Sequence, residues 1–140
     1  MAITIKIAKG LENLPQAKIV RKAVFIEEQG FVNEFDSIDK NAVHAVAFSD
    51  SKPAATGRLF KDDSGWHIGR IAVLKEFRHL GLGSKIMHAL EEYAKNSGVS
   101  EITLSAQERA KEFYEKIGYK NMGNPHLDEG CPHITMKRVL

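Results

Sequence analysis

The chain has little of several features that define particular classes of protein. It has one cysteine, Cys131, among 140 residues, so it cannot form an internal disulfide, and a lone thiol favours a reducing compartment such as the cytoplasm. It has no run of about 18 apolar residues that could cross a membrane, and residues 1–6 lack the apolar core of a signal peptide. The formal net charge is only +2, which is too small for general nucleic-acid binding. We therefore expect a cytoplasmic protein whose partners include neither a membrane nor a nucleic acid.

We expect no metal site either. Cys131 and His133 flank Pro132, and His126 lies nearby in sequence, but no second pair of residues at zinc-ligand spacing accompanies them. Cys131 also lacks a positively charged sequence neighbour that would activate a thiolate. We interpret it as a small apolar filler.

The pattern of apolar residues predicts one α/β domain over residues 1–140. Hydrophobic residues make up 43% of the chain and charged residues 27%, which is ordinary for a globular protein. Apolar spacing predicts, in order, a strand (3–7), a helix (14–29), three strands (43–48, 54–60, 66–74), a helix ended by Gly98, a short strand (101–104), a helix ended by Gly118 and a last strand (134–139). This order is typical of a mixed α/β layer rather than of repeated βαβ units.

Two helix starts are predicted from capping patterns. Asn13, with Pro15 and Gln16 after it, predicts the start of the first helix. Ser105 and Glu108 have the spacing of a capping box, which predicts that the last helix begins directly after the short strand.

The most informative segment is Arg78-His79-Leu80-Gly81-Leu82-Gly83, followed by Ser84-Lys85, between a predicted strand and a predicted helix. Two glycines allow close approach of the backbone to a ligand. The start of a helix presents unpaired N–H groups and the positive end of its dipole. Arg78 and Lys85 add full positive charges, so the segment predicts a phosphate or pyrophosphate site.

The spacing of this loop distinguishes between known phosphate-binding motifs. A Walker loop needs four residues between its first glycine and Gly-Lys-Ser/Thr, and a Rossmann fingerprint needs glycine where Ile86 stands. The pattern Arg/Gln-x-x-Gly-x-Gly/Ala, met by Arg78, Gly81 and Gly83, resembles the acetyl-CoA pyrophosphate loop of the GNAT acetyltransferases. Residues 110–119, which include Tyr114-Glu115-Lys116-Ile117-Gly118, are similar to a second segment of that family. Further segments resemble its ElaA/YjcF-like branch: Glu28-Gln29, the Asp39 and His44 pair, Ser105-Ala106-Gln107, and Pro132-His133-Ile134 with Met136.

This resemblance implies a fold and a function. The expected fold is a central, mixed, mostly antiparallel sheet flanked by helices. The expected activity is transfer of the acetyl group of acetyl-CoA to a primary amine, on a small molecule or a peptide, by direct attack in a ternary complex. A coenzyme A-binding module without turnover remains the alternative, since fold kinship does not secure activity. A homodimer would be common for such folds.

The resemblance also implies the residues that bind the donor. The strand segment 69–73 is expected to separate from its neighbour, so that the amides of Ile71 and Val73, with Ala72 between them, bind the pantetheine arm. The amides of the loop are expected to hold the pyrophosphate: Arg78, His79, Leu80, Gly81, Leu82, Gly83 and Ser84. Gln107 takes the place of an asparagine that contacts pantetheine in many relatives. Tyr114 matches the tyrosine that protonates the departing thiolate, a role that a phenol with a pKa near 10 can fill at pH 7.

The acceptor side is less determined by sequence. A lysine-like amine has about one neutral molecule in 2,500 at pH 7, whereas about a tenth of an α-amine is neutral, so a base matters more for the former. Glu28, His44 and His133 are candidate bases, and Glu28 and His133 are carried forward as tentative catalytic residues. Five acids occur between Lys22 and Lys40 without an intervening basic residue, namely Glu27, Glu28, Glu34, Asp36 and Asp39. We expect this segment to attract a cationic amine.

Overall fold

A computed structural model describes residues 2–31, 34–123, 125–128 and 130–140. Its strands are β1 (Ile3–Lys9), β2 (Val43–Ser49), β3 (Lys52–Asp62), β4 (Gly65–Val73), β5 (Glu101–Gln107), β6 (Lys120–Asn121), β7 (His126–Asp128) and β8 (Cys131–Val139). The helices are α1 (Gln16–Arg21, continued as a π-helix over Lys22–Glu28), α2 (Leu82–Asn96) and α3 (Lys111–Lys116). Single 3₁₀ turns lie at Leu11–Asn13, Ser37–Lys40, Lys75–Phe77 and Glu108–Ala110.

The strands form one sheet in the order β1-β2-β3-β4-β5-β8-β6, and β7 also pairs with β8. All pairs of neighbouring strands are antiparallel except β4 and β5, which are parallel. The expectation of a mixed, mainly antiparallel sheet flanked by helices is confirmed. The short strands β6 and β7 were not predicted, and β8 begins at Cys131 rather than at Ile134.

Both capping predictions are wrong. Asn13 closes a 3₁₀ turn and donates its side-chain amide to the carbonyl of Lys9, and the first helix starts only at Gln16. Ser105 belongs to β5, which continues to Gln107, and α3 starts at Lys111. Strand pairing with β8 extends over Ser105, and this pairing overrides the local capping pattern.

The two faces of the sheet pack against different helices. Ala45 and Ala47 point towards α2 and belong to the main core, which also contains Ile86 and Leu90. Val46 points the other way and packs against the segment that leads into α1, because successive side chains of a strand alternate between faces. Arg58 is in register with His44, two residues from Val46, so it lies on the α1 face.

The sheet opens between β4 and β5. A single pair of residues, His67 and Thr103, joins these strands in the described part of the chain. On its other side β4 carries a bulge, where Arg70 adopts a positive φ of 54° and the register against β3 shifts. The predicted separation of residues 69–73 from the neighbouring strand is therefore confirmed.

Among the described residues, no helix has the length and apolar character needed to cross a lipid bilayer.

Candidate active site

A cleft of about 1070 Å³ occupies the opening between β4 and β5. Its walls come from the C-terminal half of α1, the ends of β4 and β5, the loop before α2, and α3. A volume of this size matches the upper range of small-molecule and cofactor sites.

The free edge of β4 directs two backbone amides into this opening. The N–H of Leu74 donates to the carbonyl of Ala54 at 2.9 Å, on the β3 side. Because N–H directions alternate along an extended strand, the N–H groups of Ile71 and Val73 point away from β3. The N–H of Ala72 points towards β3. The side chain of Ala72 is buried beside Val24 and Phe25.

The glycine loop forms an uncapped helix start. Gly81 adopts the left-handed conformation with φ of 75° at the N-cap of α2, and no side chain among the described residues caps this helix. The first N–H groups of α2, from Leu82 to Ser84, are therefore available to an anion. A Cβ atom on Gly83 would lie 3.2 Å from the ring of Phe113, so glycine permits α3 to pack closely against this loop. His79 and Leu80 are exposed at the tip of the loop.

The side chain of Arg78 lies across the mouth of the cleft. Its guanidinium donates to both carboxylate oxygens of Glu28, at 2.6 and 2.8 Å, and its Nε donates to the carbonyl of Val73 at 3.0 Å. The hydrogen bond with Arg78 lowers the pKa of Glu28, so its carboxylate is a weaker base than an ordinary glutamate. The structure brings Glu28 to the cleft, but in an ion pair.

Tyr114 lies on α3 and lines the cleft. Its side chain is 8% exposed and packs against the rings of Phe113 and Tyr119. Burial raises its pKa, so the phenol stays protonated over the physiological range. Among the described residues its hydroxyl has no hydrogen-bond partner.

The two candidate histidines have different surroundings. His133 lines the cleft, and its Nδ1 lies 2.8 Å from the carbonyl of Cys131. Since a carbonyl only accepts hydrogen bonds, Nδ1 carries the proton in the neutral ring and Nε2 is left as the proton acceptor. His44 is fully buried outside the cleft, with Nε2 at 3.0 Å from the carbonyl of Asp39. Burial lowers its pKa, and its position removes it from the candidate bases.

Gln107 reaches the cleft from the end of β5. Its amide nitrogen donates to the side chain of Gln29 at 2.8 Å, and its oxygen accepts a hydrogen bond from Arg109 at 2.8 Å. The side chain therefore links α1 to the turn before α3.

A cluster of three arginines and three acids lies behind and beside the cleft on the α1 face. We call it the arginine–acid cluster, and its members are Arg21, Arg58, Arg70, Glu34, Asp36 and Asp39. Arg21 is 1% exposed and binds Glu34 at 2.8 Å and Asp39 at 2.6 Å. Arg58, 3% exposed, binds Asp36 at 2.7 Å and Asp39 at 2.8 Å. Arg70 binds Glu34 at 3.0 Å.

This cluster corrects the expectation of an acidic surface that attracts cations. Glu34, Asp36 and Asp39 are each paired with arginines, and Glu28 is paired with Arg78. Of the five acids only Glu27 has no ion pair in the described part of the chain. The expectation considered only the acids of one segment. The fold places arginines from other segments next to these acids, and the sequence pattern did not include them.

The pKa shifts follow from this pairing. Burial raises the pKa of Asp39, but hydrogen bonds and charges of Arg21 and Arg58 outweigh burial and hold it at about 2. The balance is the same for Asp36, where burial is outweighed by Arg58. For Glu34 burial dominates over Arg21 and Arg70, and its pKa is raised.

Sequence reasoning missed the three arginines of the cluster. A signal was present for two of them. Arg21 stands at an inward helical position between Ala17 and Val24, and Arg58 is the one charged residue in the run 53–60. Long charged side chains at such positions are rarely buried unless they are paired.

The comparisons with known proteins agree with this geometry. The family model described as an acetyltransferase (GNAT) domain matches residues 13–140. The chain is 38% identical over 135 residues to the uncharacterized N-acetyltransferase YjcF of Bacillus subtilis (strain 168), covering 94% of this chain and 96% of YjcF.

Two solved structures are similar over nearly their whole length. The crystal structure of a Lactobacillus plantarum protein assigned as an N-acetyltransferase has a TM-score of 0.90 and 30% identity, and the match covers 100% of this chain and 99% of that one. Escherichia coli ElaA has the same fold, with a TM-score of 0.85 at 24% identity and coverage of 98% and 99%. The chain therefore belongs to the GNAT acetyltransferase family and is an acyltransferase.

Proposed function

We propose that the protein transfers the acetyl group of acetyl-CoA to a primary amine by direct attack in a ternary complex. The observation that carries the proposal is the opening between β4 and β5 beside the uncapped start of α2. It offers strand amides to a linear polar arm and helix amides to a diphosphate. A donor that contains both a polar arm and a diphosphate, as acetyl-CoA does, can bind the strand amides and the helix amides at the same time.

The donor is held by backbone groups in this proposal. The N–H groups of residues 79–84 bind the pyrophosphate, with Lys75 and Lys85 nearby to supply positive charge. The N–H of Arg78, which was expected to take part, donates instead to the carbonyl of Lys75 at 3.4 Å. The N–H groups of Ile71 and Val73 bind the pantetheine arm, and Gln107 contacts it from the facing strand. The N–H of Val73 faces the thioester oxygen, where it stabilises the negative charge of the tetrahedral intermediate.

Two side chains move protons. The amine nitrogen attacks the thioester carbon, and Nε2 of His133 accepts the proton that the nitrogen loses. The carbon–sulfur bond then breaks, and the hydroxyl of Tyr114 donates its proton to the departing thiolate. Glu28 is not the base in this proposal, because Arg78 donates to both of its carboxylate oxygens.

The lone Cys131 is consistent with a reducing compartment, and we propose that the protein works in the cytoplasm.

The test is thiol release from acetyl-CoA with and without amines, run beside calorimetry with coenzyme A. We expect binding of coenzyme A and release that depends on the amine. Binding without amine-dependent release would show a non-catalytic coenzyme A-binding module. Failure of well-folded protein to bind any coenzyme A species would overturn the proposal as a whole.

A further inference from the structure

The arginine–acid cluster bears on the acceptor, provided that the proposed acetyl transfer is correct. Arg58, Arg70 and Glu34 line the cleft, and they approach it from the α1 face of the sheet. The α2 helix, whose start receives the pyrophosphate in the proposed function, packs on the opposite face. The cluster therefore borders the side of the opening that the donor leaves free for a second substrate.

The carboxylate oxygens of the cluster are all occupied. Both oxygens of Glu34 contact arginines, Oε2 with Arg21 at 2.8 Å and Oε1 with Arg70 at 3.0 Å. Both oxygens of Asp36 accept from Arg58, at 2.7 and 3.1 Å. Both oxygens of Asp39 accept from Arg21, at 2.6 and 3.1 Å. A cationic group that enters the cleft finds no unpaired carboxylate here.

Donor groups of the same cluster are not all used. Arg70 is 28% exposed, and it contacts Glu34 and Asp36 through Nε and Nη2 only, so within the described residues its Nη1 has no partner. The Nε of Arg58, in a side chain that is 3% exposed, likewise has no hydrogen-bond partner in the described part of the chain. A buried N–H without a partner costs free energy. The unmet hydrogen bonds of the cluster are therefore those of donors, which need an acceptor oxygen.

We infer that the acceptor is a primary amine that also carries a carboxylate, which the guanidinium of Arg70 binds with Arg58 behind it. Nη1 of Arg70 donates to one oxygen of this carboxylate, and a hydrogen bond from a charged guanidinium to a carboxylate is stronger than one between neutral groups. The aromatic side chains of Phe31 and Phe60 line the same cleft and offer apolar surface to a substituent of the acceptor. In such a substrate the covalent structure fixes the distance between the carboxylate and the amine nitrogen. Binding of the carboxylate therefore positions the nitrogen that attacks the thioester.

The experiment compares an amino acid with its carboxamide, for example phenylalanine and phenylalaninamide, as acceptors of wild type, Arg70→Gln and Arg70→Lys. The measured quantity is the acid-to-amide ratio of kcat/KM. The two amines differ in pKa, but the same pair at one pH is used with every enzyme, so this difference cancels between enzymes. Lys61→Gln is the matched control, since Lys61 is an exposed cation on β3 outside the cleft.

We expect the acid-to-amide ratio of kcat/KM to fall at least about ten-fold in Arg70→Gln. The fall should come from a higher KM for the acid, while kcat/KM for the amide changes by less than about two-fold. Arg70→Lys keeps the positive charge but loses the directed Nη1–H donor, so its ratio is expected to lie between those of wild type and Arg70→Gln. Lys61→Gln is expected to match wild type. Since Arg70 also anchors residues 34–36, thermal unfolding checks each variant, and Arg70→Lys carries the test if Arg70→Gln does not fold. A ratio that is the same in wild type and both Arg70 variants overturns the inference while leaving acetyl transfer intact. Absence of turnover with every amine, by contrast, overturns the proposed function.

Discussion

Glu28 and Arg78 are separated by 50 residues in sequence and form a two-point ion pair, with oxygen–nitrogen distances of 2.6 and 2.8 Å, that joins the end of α1 to the glycine loop. Arg78 is also held by the carbonyl of Val73. The pair places a carboxylate, and hence a negative charge, close to the proposed pyrophosphate site. Its side chains are 41% and 34% exposed, so the pair itself adds little to stability.

Replacing Glu28 by Gln is therefore expected to tighten the binding of coenzyme A. The variant removes a negative charge near the phosphates, while Val73 still orients Arg78. We expect the Kd to fall about three-fold at low ionic strength and the difference to shrink as salt rises. Calorimetry at two salt concentrations measures this, and Glu27→Gln, an exposed acid one residue away, is the control. If Glu28 were the base, kcat would fall sharply and the Kd would not change.

The Tyr114→Phe variant tests the proposed acid. Removing the hydroxyl is expected to lower kcat about 100-fold, the lower end of general acid–base contributions, with little change in the KM for acetyl-CoA. Stability is expected to change little, because the hydroxyl has no hydrogen-bond partner among the described residues.

Tyr119 offers a matched control for this variant. Its hydroxyl donates to Glu91 at 2.7 Å, away from the cleft. We expect Tyr119→Phe to lose about 1 kcal/mol of unfolding free energy and to keep its kcat. Equal kcat values for the two variants would contradict an acid role for Tyr114.

The glycine loop is tested by a pair of alanine variants. Gly81 and Gly98 both have positive φ, 75° and 86°, and a Cβ atom would meet nothing within 4 Å at either position. Each substitution should therefore cost a similar backbone strain of about 1 kcal/mol. Only Gly81→Ala is expected to weaken coenzyme A binding, because Gly98 lies at the far end of α2. The measurements are thermal unfolding and calorimetry, and similar Kd values would argue against the loop as the pyrophosphate site.

His133 is tested with two classes of amine. At pH 7 deprotonation costs about 4.6 kcal/mol for a lysine-like amine but only about 1.4 kcal/mol for an α-amine. If Nε2 of His133 is the base, His133→Gln should reduce kcat/KM more for the lysine-like amine than for the α-amine. The pH dependence of kcat/KM is measured for both amines, and an equal loss for both would leave His133 with a structural role.

The arginine–acid cluster predicts a stability change at low pH. The pKa of Asp39 falls from 3.8 to about 2 on folding, which corresponds to about 2 kcal/mol of unfolding free energy. Because the folded-state pKa is the lower one, this contribution is complete above pH 3.8 and is lost as the pH falls towards 2. The pKa of Glu34 is raised on folding. Its protonation as the pH falls therefore favours the folded state and offsets part of the loss from Asp39.

Asp39→Asn isolates the contribution of Asp39. It leaves Arg21 and Arg58 without a carboxylate partner at this position and is expected to cost about 3 kcal/mol at pH 7, but it should lack the wild-type loss between pH 4 and 2. Denaturant unfolding across this range measures both effects. Carboxyl NMR titration of Asp39 in the wild type is an independent measurement, and a midpoint near 3.8 would contradict the ion-pair argument.

How much could be predicted from the sequence depended on how local each feature is. The alternation of apolar residues predicted β2, β3 and β4 to within two residues, because each of these strands is determined by its own side chains. Capping was predicted wrongly at Asn13, whose side chain donates to the nearby carbonyl of Lys9 from a 3₁₀ turn, and at Ser105, where pairing with β8 extends the strand.

The sequence by itself determined the glycine loop and the position of Tyr114, since a turn, a helix start and an aromatic on the following helix are encoded by neighbouring residues. It also determined the family, through motifs at fixed spacing. Only the tertiary structure decided the charges of the cleft. Arg21, Arg58 and Arg70 come from α1, β3 and β4, and their pairing with Glu34, Asp36 and Asp39 depends on distances that exist only once the sheet has formed. Electrostatic interaction depends on separation in space and on burial, and neither can be read from the order of residues in the chain.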